Sequence, residues 1–336
     1  MKWNRGFGRR IISAMGSSVV LIFLAGAMGS QAGAAAKVDF PAKNKSITVI
    51  VGAAAGGSSD VGARLLAGPM EKELGVRIVI ENKTGAGWQV GLTALARSRP
   101  DGYTVGITVL PQTITIYLDP ERKALFTRKS FQPLAMQVVD PGVIAVKTDS
   151  PIKTLKDLLD AARANPGKIK ASATGILGDD HLAILQMERL TGIQLATVQF
   201  EGSAPSMTAL IGGHTDVYFG NIGDTMTQFR MGAVRVLGIM DKEESRFLPG
   251  VKTMESQGVK LYSSSSRGLS APAGTPGEIV EIFTGAIQRA MANEEHKKRM
   301  EDQGLTLRFM DPPQMAAYWA EMEAQVKPLV DMVKKK

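Results

Sequence analysis

The stretch Ile47-Thr-Val-Ile-Val-Gly-Ala-Ala-Ala-Gly-Gly-Ser-Ser-Asp60 decides how the rest of the chain folds. Its first five residues are apolar or β-branched, a pattern typical of a buried strand. Two glycines follow, and Ser58 or Ser59 is a suitable N-cap for a helix that continues through Leu74. The sequence therefore predicts a strand, a glycine turn and a helix at this point.

The two glycines of this turn point to a binding function. Gly56 and Gly57 leave main-chain N–H groups unshielded at the positive end of the predicted helix, where a carboxylate or phosphate is favoured. Two simpler explanations remain beside this one. The glycines also allow a tight turn without any ligand, and Asp60 stabilises the helix dipole without touching one. The loop is the first candidate for a ligand site.

Residues 1–36 have the organisation of a secretory signal peptide. Four basic residues up to Arg10 precede an apolar segment from Ile11 to about Met28, and Ala34-Ala-Ala36 provides small residues for cleavage. The apolar segment also has the length of an uncleaved membrane anchor, which needs ~20 apolar residues. Removing residues 1–36 takes away no acidic residue and lowers the formal net charge from +8 to +4.

The composition of the remaining 300 residues excludes several classes of protein. Lys and Arg are scattered and no aromatic residues interleave them as in a nucleic-acid groove, so nucleic acid is not a predicted partner. The chain has 0 Cys, so neither a disulfide nor a thiolate nucleophile is present. An exported protein without disulfides is suited to a bacterial periplasm. With 44% hydrophobic residues the chain has enough apolar material for two packed lobes.

Alternating strands and helices follow the opening stretch. Residues 76–81 and 104–108 have the pattern of strands, with a glycine loop at 82–87 and a helix at 88–97 between them. This β-α-β-α-β order predicts a parallel sheet with helices on its faces. The run Gly85-x-Gly87-x-x-Val90 is one glycine short of the dinucleotide fingerprint, so neither a nucleotide nor another cofactor is predicted.

The alternation restarts at Val143 and predicts a second sheet. Strands are expected at residues 143–147, 168–173, 196–200, 215–219 and 233–240, and helices at 154–164, 179–190 and 203–211. Residues 263–266 are interpreted as a flexible polar run, and amphipathic helices between residues 277 and 333 are expected to pack back on the first sheet. These assignments give lobe 1 as residues 37–139 plus 263–336, lobe 2 as residues 140–262, and hinge crossovers near 137–143 and 258–268.

Five motifs occur in the order seen in one family of receptors. They are Ala54-Ala-Gly-Gly-Ser-Ser-Asp60, Glu81-Asn82 with Gly85-Ala-Gly87, Pro100-Asp-Gly-Tyr-Thr104, Leu248-Pro-Gly-Val-Lys-Thr253 with Glu255 and Gly258, and residues 268–276. In these motifs the chain resembles the Bug-type solute-binding receptors of tripartite tricarboxylate transporters, from about Phe40 to the C-terminal helix. The resemblance implies an α/β, two-lobed type II periplasmic binding protein fold, with each lobe a sheet flanked by helices and the ligand cleft between the lobes.

The same resemblance implies a function and a set of site residues. It implies a monomeric periplasmic receptor that delivers a small organic carboxylate to a two-component membrane permease, without an enzyme activity. The carboxylate would be held by main-chain groups and bridging water rather than by an arginine, which agrees with the lack of Lys or Arg in residues 52–60. Carried over by position, the ligand-binding residues are Ala54, Ala55, Gly56, Gly57, Ser58, Gly85, Ala86, Trp88, Thr108, Gln112, Thr174, Gly175, Ile176, His181, Gly202, Ser203 and Asn221.

Some positions depart from the family pattern. Gly52-Ala53 stands where the family has Pro-Phe, and Gly87-Trp88 stands where the second loop ends in Gly-Gly. We hypothesise that Trp88 fills the space of the missing phenylalanine and stacks on an apolar or aromatic part of the ligand. The alternative is that Trp88 only packs against its own helix. Glu201 lies near the predicted anion site, so we expect it to point away or to contact a cationic group of the ligand.

No constellation in the chain requires catalysis. His181, His214 and His296 are far apart and lack metal-ligand spacing, so no metal is predicted, and a structural hydrogen bond is the stronger explanation for His181. Asp179 and Asp180 are adjacent and are interpreted as caps of a helix rather than as an acid and base pair. An exported α/β hydrolase using the same anion-binding loops, and a receptor module for a sensor kinase, remain as alternatives.

Overall fold

The computed structural model describes residues 39–200 and 202–334. The predicted signal peptide and Glu201 lie outside the described residues. The strands are β1 (Ile47–Val51), β2 (Ile78–Asn82), β3 (Thr104–Leu110), β4 (Phe131–Lys147), β5 (Lys170–Thr174), β6 (Ala196–Phe200), β7 (Val217–Asn221), β8 (Val234–Ile239), β9 (Ser264–Pro272) and β10 (Leu307–Met310). The α-helices are α1 (Ser58–Leu74), α2 (Gln89–Ala96), α3 (Gln112–Leu118), α4 (Leu155–Ala164), α5 (Asp179–Thr191), α6 (Ser203–Ile211), α7 (Ile222–Arg230), α8 (Gly277–Ala292), α9 (Glu294–Asp302) and α10 (Pro312–Lys334).

One mixed sheet organises the fold. Its strand order is β2-β1-β3-β9-β4-β7-β5-β6, and β8 and β10 both pair with β4. Strand β1 is parallel to β2 and β3, and β5 is parallel to β6 and β7. Residues 131–141 of β4 pair with β9, whereas residues 142–147 pair with β7 and β8. Strand β4 therefore joins half-sheet 1 (β1, β2, β3, β9 and β10) to half-sheet 2 (β5, β6, β7 and β8).

The mixed α/β class is confirmed, with the two halves joined through β4, which contains residues 137–143. One expectation was wrong. Residues 263–266 are not a flexible run, because Ser264 begins β9, and Ser265 and Ser266 are buried between β3 and β4. Serine is a weak indicator of strand, and pairing with two neighbours decided the conformation. The boundaries of the two lobes stay a prediction.

Helices cover both faces of the sheet. In half-sheet 1, Leu66 of α1 and Phe283 of α8 join one apolar cluster, and Trp319 of α10 belongs to another that also contains Ile114. In half-sheet 2, α4 and α5 contribute to one cluster, and α6 and α7 to a different one. Because both faces are covered, central strands are buried along their length, as in β7, where every residue is buried. The outer parallel strands β2 and β6 are partly exposed.

Some helices are capped by a side chain, whereas others begin or end at a glycine. Thr154 caps α4 as expected, since its hydroxyl accepts from the Asp157 amide at 3.1 Å and Asp157 accepts in return from the Thr154 amide at 2.9 Å. Gly192 ends α5 with φ 70°, also as expected. The caps assigned to Ser58 or Ser59 and to Asp179 and Asp180 were wrong: the N-caps are Gly57 and Gly178, and neither helix start has a side-chain cap bond.

Candidate functional site

The loops that follow the parallel strands lie at the carboxyl edges of the two half-sheets. Loops after β1, β2 and β3 carry residues 52–57, 83–88 and 111–112, and loops after β5 and β6, with Asn221 at the end of β7, form the opposing edge. The two edges meet at Gln112 and Gly178, since a Cβ on Gly178 would lie 3.6 Å from Gln112 Oε1. Open α/β sheets bind ligands at such edges. The fold therefore brings most of the predicted site residues to one cleft.

The loop before α1 exposes its backbone to this cleft. Residues 54–57 are solvent-exposed, and Gly56 has φ +84°, a conformation that glycine adopts without strain. Helix α1 begins at Ser58, and the first N–H groups of a helix have no acceptor inside it. The two donors that the sequence predicted are occupied, however, because the Gly56 amide donates to Asp60 Oδ2 at 2.8 Å and the Gly57 amide to the Ala54 carbonyl at 3.4 Å. The amides of the first turn of α1, from Ser58 onward, are the ones that remain for an anion.

Asp60 holds the loop in this conformation. Its carboxylate is 1% exposed and accepts from the Gly56 amide at 2.8 Å, from Arg64 Nε at 2.9 Å and from Asn82 Nδ2 at 2.9 Å. Asn82 also donates to the Ala53 carbonyl at 2.9 Å, which ties β2 to the loop. Burial acts to raise the pKa of Asp60, but the bonds from Arg64, Gly56 and Asn82 prevail and lower it. Asp60 is therefore a structural anion beneath the loop.

The second glycine loop is fixed by Arg122 and Gln112. Arg122 Nη1 donates to the Ala86 carbonyl at 2.9 Å, and Gln112 Nε2 donates to the Gly87 carbonyl at 3.3 Å. Trp88 has φ +78°, and its ring lies against Gly52, where a Cβ would be 2.6 Å from Trp88 Cε3. This packing agrees with the space-filling half of the Trp88 hypothesis. A ligand contact of Trp88 stays a prediction.

Thr108 lies apart from the other predicted residues. It is fully buried within half-sheet 1, and its hydroxyl contacts Ser270 Oγ at 2.9 Å and the Gly268 carbonyl at 3.3 Å. Its side chain is therefore part of the sheet interior, because β3 pairs with β9 on that side. The structure does not bring Thr108 to the surface of the cleft.

The loop after β5 combines an exposed backbone with anchored side chains. Gly175 and Ile176 are exposed, and Ile176 keeps 58% of its surface accessible. The Thr174 hydroxyl donates to Asp180 Oδ2 at 2.6 Å. His181 Nδ1 accepts from the Leu177 amide at 3.0 Å, and burial lowers the pKa of this imidazole. The structural hydrogen bond expected for His181 is therefore confirmed.

The starts of α6 and α7 complete this edge. Gly202 is exposed and Ser203 is half-buried, while Asn221 is buried and its Nδ2 donates to the Asp140 carbonyl at 3.1 Å. Asn221 also forms a side-chain hydrogen bond that acts to lower the pKa of Asp179, and Ser203 does the same for Asp224. Two of the predicted ligand-binding residues, Asn221 and Ser203, therefore form hydrogen bonds with the carboxylates of Asp179 and Asp224.

Sequence reasoning missed four residues at the centre of this region: Asp140, Tyr218, Asp224 and Arg267. Arg267 Nη2 lies 3.5 Å from Asp140 Oδ2, and the two side chains are 5% and 0% exposed. Burial raises the pKa of Asp140 to about 7, with Arg267 opposing the rise and Asp224 adding to it. The one signal in the sequence was Arg267, which directly follows Ser264-Ser-Ser266. An arginine is rarely buried without a partner, so its place in a buried strand would have indicated a nearby acid.

Comparisons with known proteins agree with this arrangement. The family model described as the tripartite tricarboxylate transporter family receptor matches residues 62–334. The "UPF0065 protein in gbd 5'region" of Cupriavidus necator is 29% identical over 293 residues, which are 85% of this chain and 86% of that protein. The periplasmic binding protein BugD superposes with a TM-score of 0.74 at 28% identity and covers 86% of this chain and 97% of its own. MatC of Rhodopseudomonas palustris with bound malate superposes with a TM-score of 0.75 at 27% identity. The match covers 85% of this chain and 99% of the MatC chain.

Proposed function

The chain belongs to the tripartite tricarboxylate transporter receptor family, and from this membership we propose that it captures a small organic carboxylate and delivers it to a two-component membrane permease. The family and the structural neighbours are solute-binding receptors and not enzymes, so the hydrolase alternative is set aside. Within residues 39–200 and 202–334, no helix is both long and apolar enough to cross a membrane. Export by the signal peptide to the periplasm, where members of the family act, is part of the proposal.

The observation that carries the proposal is the exposed start of α1. The helix follows the carboxyl end of β1, its N-cap Gly57 carries no side chain over the first-turn amides, and Asp60 accepts from the Gly56 amide and fixes the loop. A helix N-terminus attracts negative charge through its dipole and its free N–H groups. MatC, which shares this fold, holds malate. A carboxylate is therefore the ligand class that the geometry favours.

A thermal-shift screen of the purified protein tests the ligand class. The panel contains malate, citrate, other dicarboxylates, aromatic acids and amino acids, with matched alcohols and amides as neutral controls. A ligand that binds only the folded state raises its melting temperature. We expect at least one organic acid to raise it and to bind with one-to-one stoichiometry in calorimetry. The proposal fails when no acid in the panel does so.

A proline scan at the first helical position tests the role of the amides. Ser58→Pro removes the Ser58 N–H, and Gly57 has φ −72° and ψ 161°, which a following proline tolerates. We expect it to weaken binding of the tightest acid in the screen by roughly 10- to 100-fold, the effect of losing about 1.5 to 3 kcal/mol from a hydrogen bond to a charged group. Ser58→Ala, which keeps the N–H, should bind normally.

Glu294→Pro is the matched control. It places proline at the first position of α9 after Asn293, which has φ −65° and ψ 126°. Binding should be unchanged in this variant. Equal affinity of Ser58→Pro and the wild-type protein would contradict the proposed role of the α1 amides.

A further inference from the structure

We infer that a cavity between helices α1 and α9, away from the cleft, binds a small organic anion that carries a hydroxyl group. The hydroxyl would donate to His296 of α9, and the anionic group would pair with Lys72 of α1 and Arg299 of α9. This is a second binding site, and it does not depend on the carboxylate site proposed for the cleft.

The cavity lies along the second half of α1. Its volume is about 400 Å³, and its walls are formed by α1 between Leu65 and Lys72 and by the start of α9. A smaller cavity of about 230 Å³ adjoins it, because Pro69, Lys72 and Asn293 line both. Helix α1 starts beside the cleft at Ser58, and the rise from Ser58 to Lys72 is roughly 20 Å. The cavity is therefore separate from the cleft.

A proline inside α1 determines how His296 is held. Pro69 has no N–H, so the carbonyl of Leu65, four residues earlier, lacks its helical donor. His296 Nδ1 donates to this carbonyl at 3.0 Å, because a carbonyl oxygen can only accept. Burial lowers the pKa of His296 and the charge of Arg299 adds to this effect, while the bond to Leu65 opposes it. The imidazole is therefore neutral at pH 7, with the proton on Nδ1 and a free acceptor at Nε2.

The Nε2 atom of His296 is the observation that points to a ligand. The side chain is 1% exposed, and Nε2 has no hydrogen-bond partner within the described part of the chain. Buried polar atoms are rarely left unpaired in a native protein. Because His296 lines the cavity, a hydroxyl group bound there can supply the donor. A metal ion is a poorer partner, since among residues 39–200 and 202–334 no group of three or more His, Asp or Glu could hold one.

The charged side chains of the cavity favour an anion. Lys72 and Arg299 are exposed, and neither has a hydrogen bond or an ion pair within the part of the chain that the structure describes. Two acids also line the cavity, but both have structural roles. Glu71 accepts from the Ile78 amide at 2.7 Å, and Glu295 lies in the first turn of α9, where the helix dipole favours negative charge. Two cations beside a free acceptor match a ligand with an anionic group and a hydroxyl.

Matched pairs of acids test the inference on the wild-type protein. The pairs are lactate and propionate, 3-hydroxybutyrate and butyrate, and 6-hydroxyhexanoate and hexanoate, which differ by one hydroxyl, and glycerol is the neutral control. The cleft is first saturated with the tightest plain acid from the thermal-shift screen, so that calorimetry at pH 7.5 measures a second site. We expect a hydroxylated acid to bind there at least tenfold more tightly than its plain partner, and glycerol not to bind.

The outcomes separate this inference from the proposed function. The absence of any second binding event, or equal binding of plain acids or glycerol, overturns the inference and leaves the cleft function as it is. When the screen finds no acid for the cleft, the same pairs are titrated into the protein directly. Binding that then depends on His296 would support the second site although the proposed function had failed.

Two variants distinguish a binding role of His296 from a structural one. His296→Leu removes Nε2 together with the donor to Leu65, and it should weaken the second site at least tenfold. Adding Pro69→Ala returns a helical N–H to the Leu65 carbonyl, so the double variant should regain stability in urea denaturation without regaining affinity. Affinity that returns with stability, or that never falls in His296→Leu, would overturn the role of Nε2.

Charge variants test the anionic part of the ligand. Lys72→Gln and Arg299→Gln should each weaken binding of the hydroxylated acid about tenfold, because each removes one of the two cations. Lys298→Gln is the matched control, since Lys298 precedes Arg299 on α9, pairs with Asp302 at 3.1 Å and is not among the residues that line the cavity. This variant should bind like the wild type. Equal losses in all three variants would mean that net charge alone attracts the acid, which would overturn the site.

Discussion

Helices α1 and α5 begin with nearly the same backbone but with opposite electrostatics. Their N-caps, Gly57 and Gly178, have φ and ψ of −72° and 161° and of −69° and 169°, and neither has a side-chain cap bond. In α1 the acid is Asp60, which turns back to the Gly56 amide and has a lowered pKa. In α5 the acid is Asp179, whose pKa burial raises and whose Oδ2 has no partner in the described structure. At α1 the carboxylate is used inside the loop, so the start of the helix stays suited to an external anion. At α5 the carboxylate itself lies at the start of the helix.

The largest test of this contrast is the pH dependence of stability. Asp140 has a folded pKa of about 7 against an ordinary 3.8, so the folded state keeps a proton that the unfolded state releases between these values. The free energy of unfolding should therefore fall as pH rises from 4 to 7, by about 4 kcal/mol from this group alone, and then level off. Urea denaturation of the ligand-free protein at several pH values measures this change.

Asp140→Asn isolates the effect. The groups that face this carboxyl are Arg267 on β9, Asp224 and the Gly223 amide on α7, and Asp179 on α5. Burial lowers the pKa of His181 and His296, so these two groups make the free energy of unfolding rise with pH near pH 6. The quantity to compare is therefore the difference in free energy of unfolding between variant and wild type at each pH. The variant should lose the share of the decline that belongs to Asp140, while the raised pKa values of Asp179, Asp180 and Asp224 leave the remainder. Parallel pH profiles for the two proteins would contradict a proton held by Asp140.

The next largest effect is expected at the α1 side, from Asp60→Ala. The change leaves the Gly56 amide and the Asn82 side chain without their acceptor and should lower the free energy of unfolding by about 3 kcal/mol. Asp160→Ala is the control, because Asp160 also pairs with a helical cation four residues away, Lys156, but is half exposed, and this change should leave the stability almost unaltered. Equal losses would show that the Asp60 network does not hold the loop.

The packing of Trp88 on Gly52 gives a smaller test on the same side of the cleft. Gly52→Ala adds a Cβ 2.6 Å from the indole and should cost about 2 kcal/mol, as expected for an overpacked site. Trp88→Gly removes the ring and also suits the positive φ at this position. In the double variant the Gly52→Ala cost should largely disappear. Additive losses in urea denaturation would contradict the contact.

The sequence was sufficient for the elements that depend on local pattern. The apolar run of β1, the glycine turn and the amphipathic helices were predicted within a few residues, because periodicity and turn residues report on the neighbouring chain. Strand β4 was recognised only from Val143, since Pro133 and Pro141 in its first part are unusual inside a strand. Helices α3 and α7 were missed because they follow their strands with little or no loop.

The acidic region at the cleft could not be predicted from local pattern. Asp140 and Arg267 are 127 positions apart, and only the pairing of β4 with β9 brings them together. Asp179 and Asp224 likewise meet through the common edge of β5 and β7. The loops of the predicted site were found because glycines mark them, whereas charged residues are common everywhere in a sequence and are informative only once their burial is known.

The smallest test compares α1 with a helix whose cap is a side chain. Thr154→Ala removes the hydroxyl that accepts from the Asp157 amide and should destabilise the protein by about 1 kcal/mol. Ser58→Ala should have almost no effect, because Ser58 follows a glycine N-cap and makes no cap bond. The two substitutions remove the same chemical group at the start of a helix, so urea denaturation of both measures the cap alone. A loss at Ser58 as large as at Thr154 would mean that its hydroxyl caps α1 in solution, which would leave fewer amides for an anion.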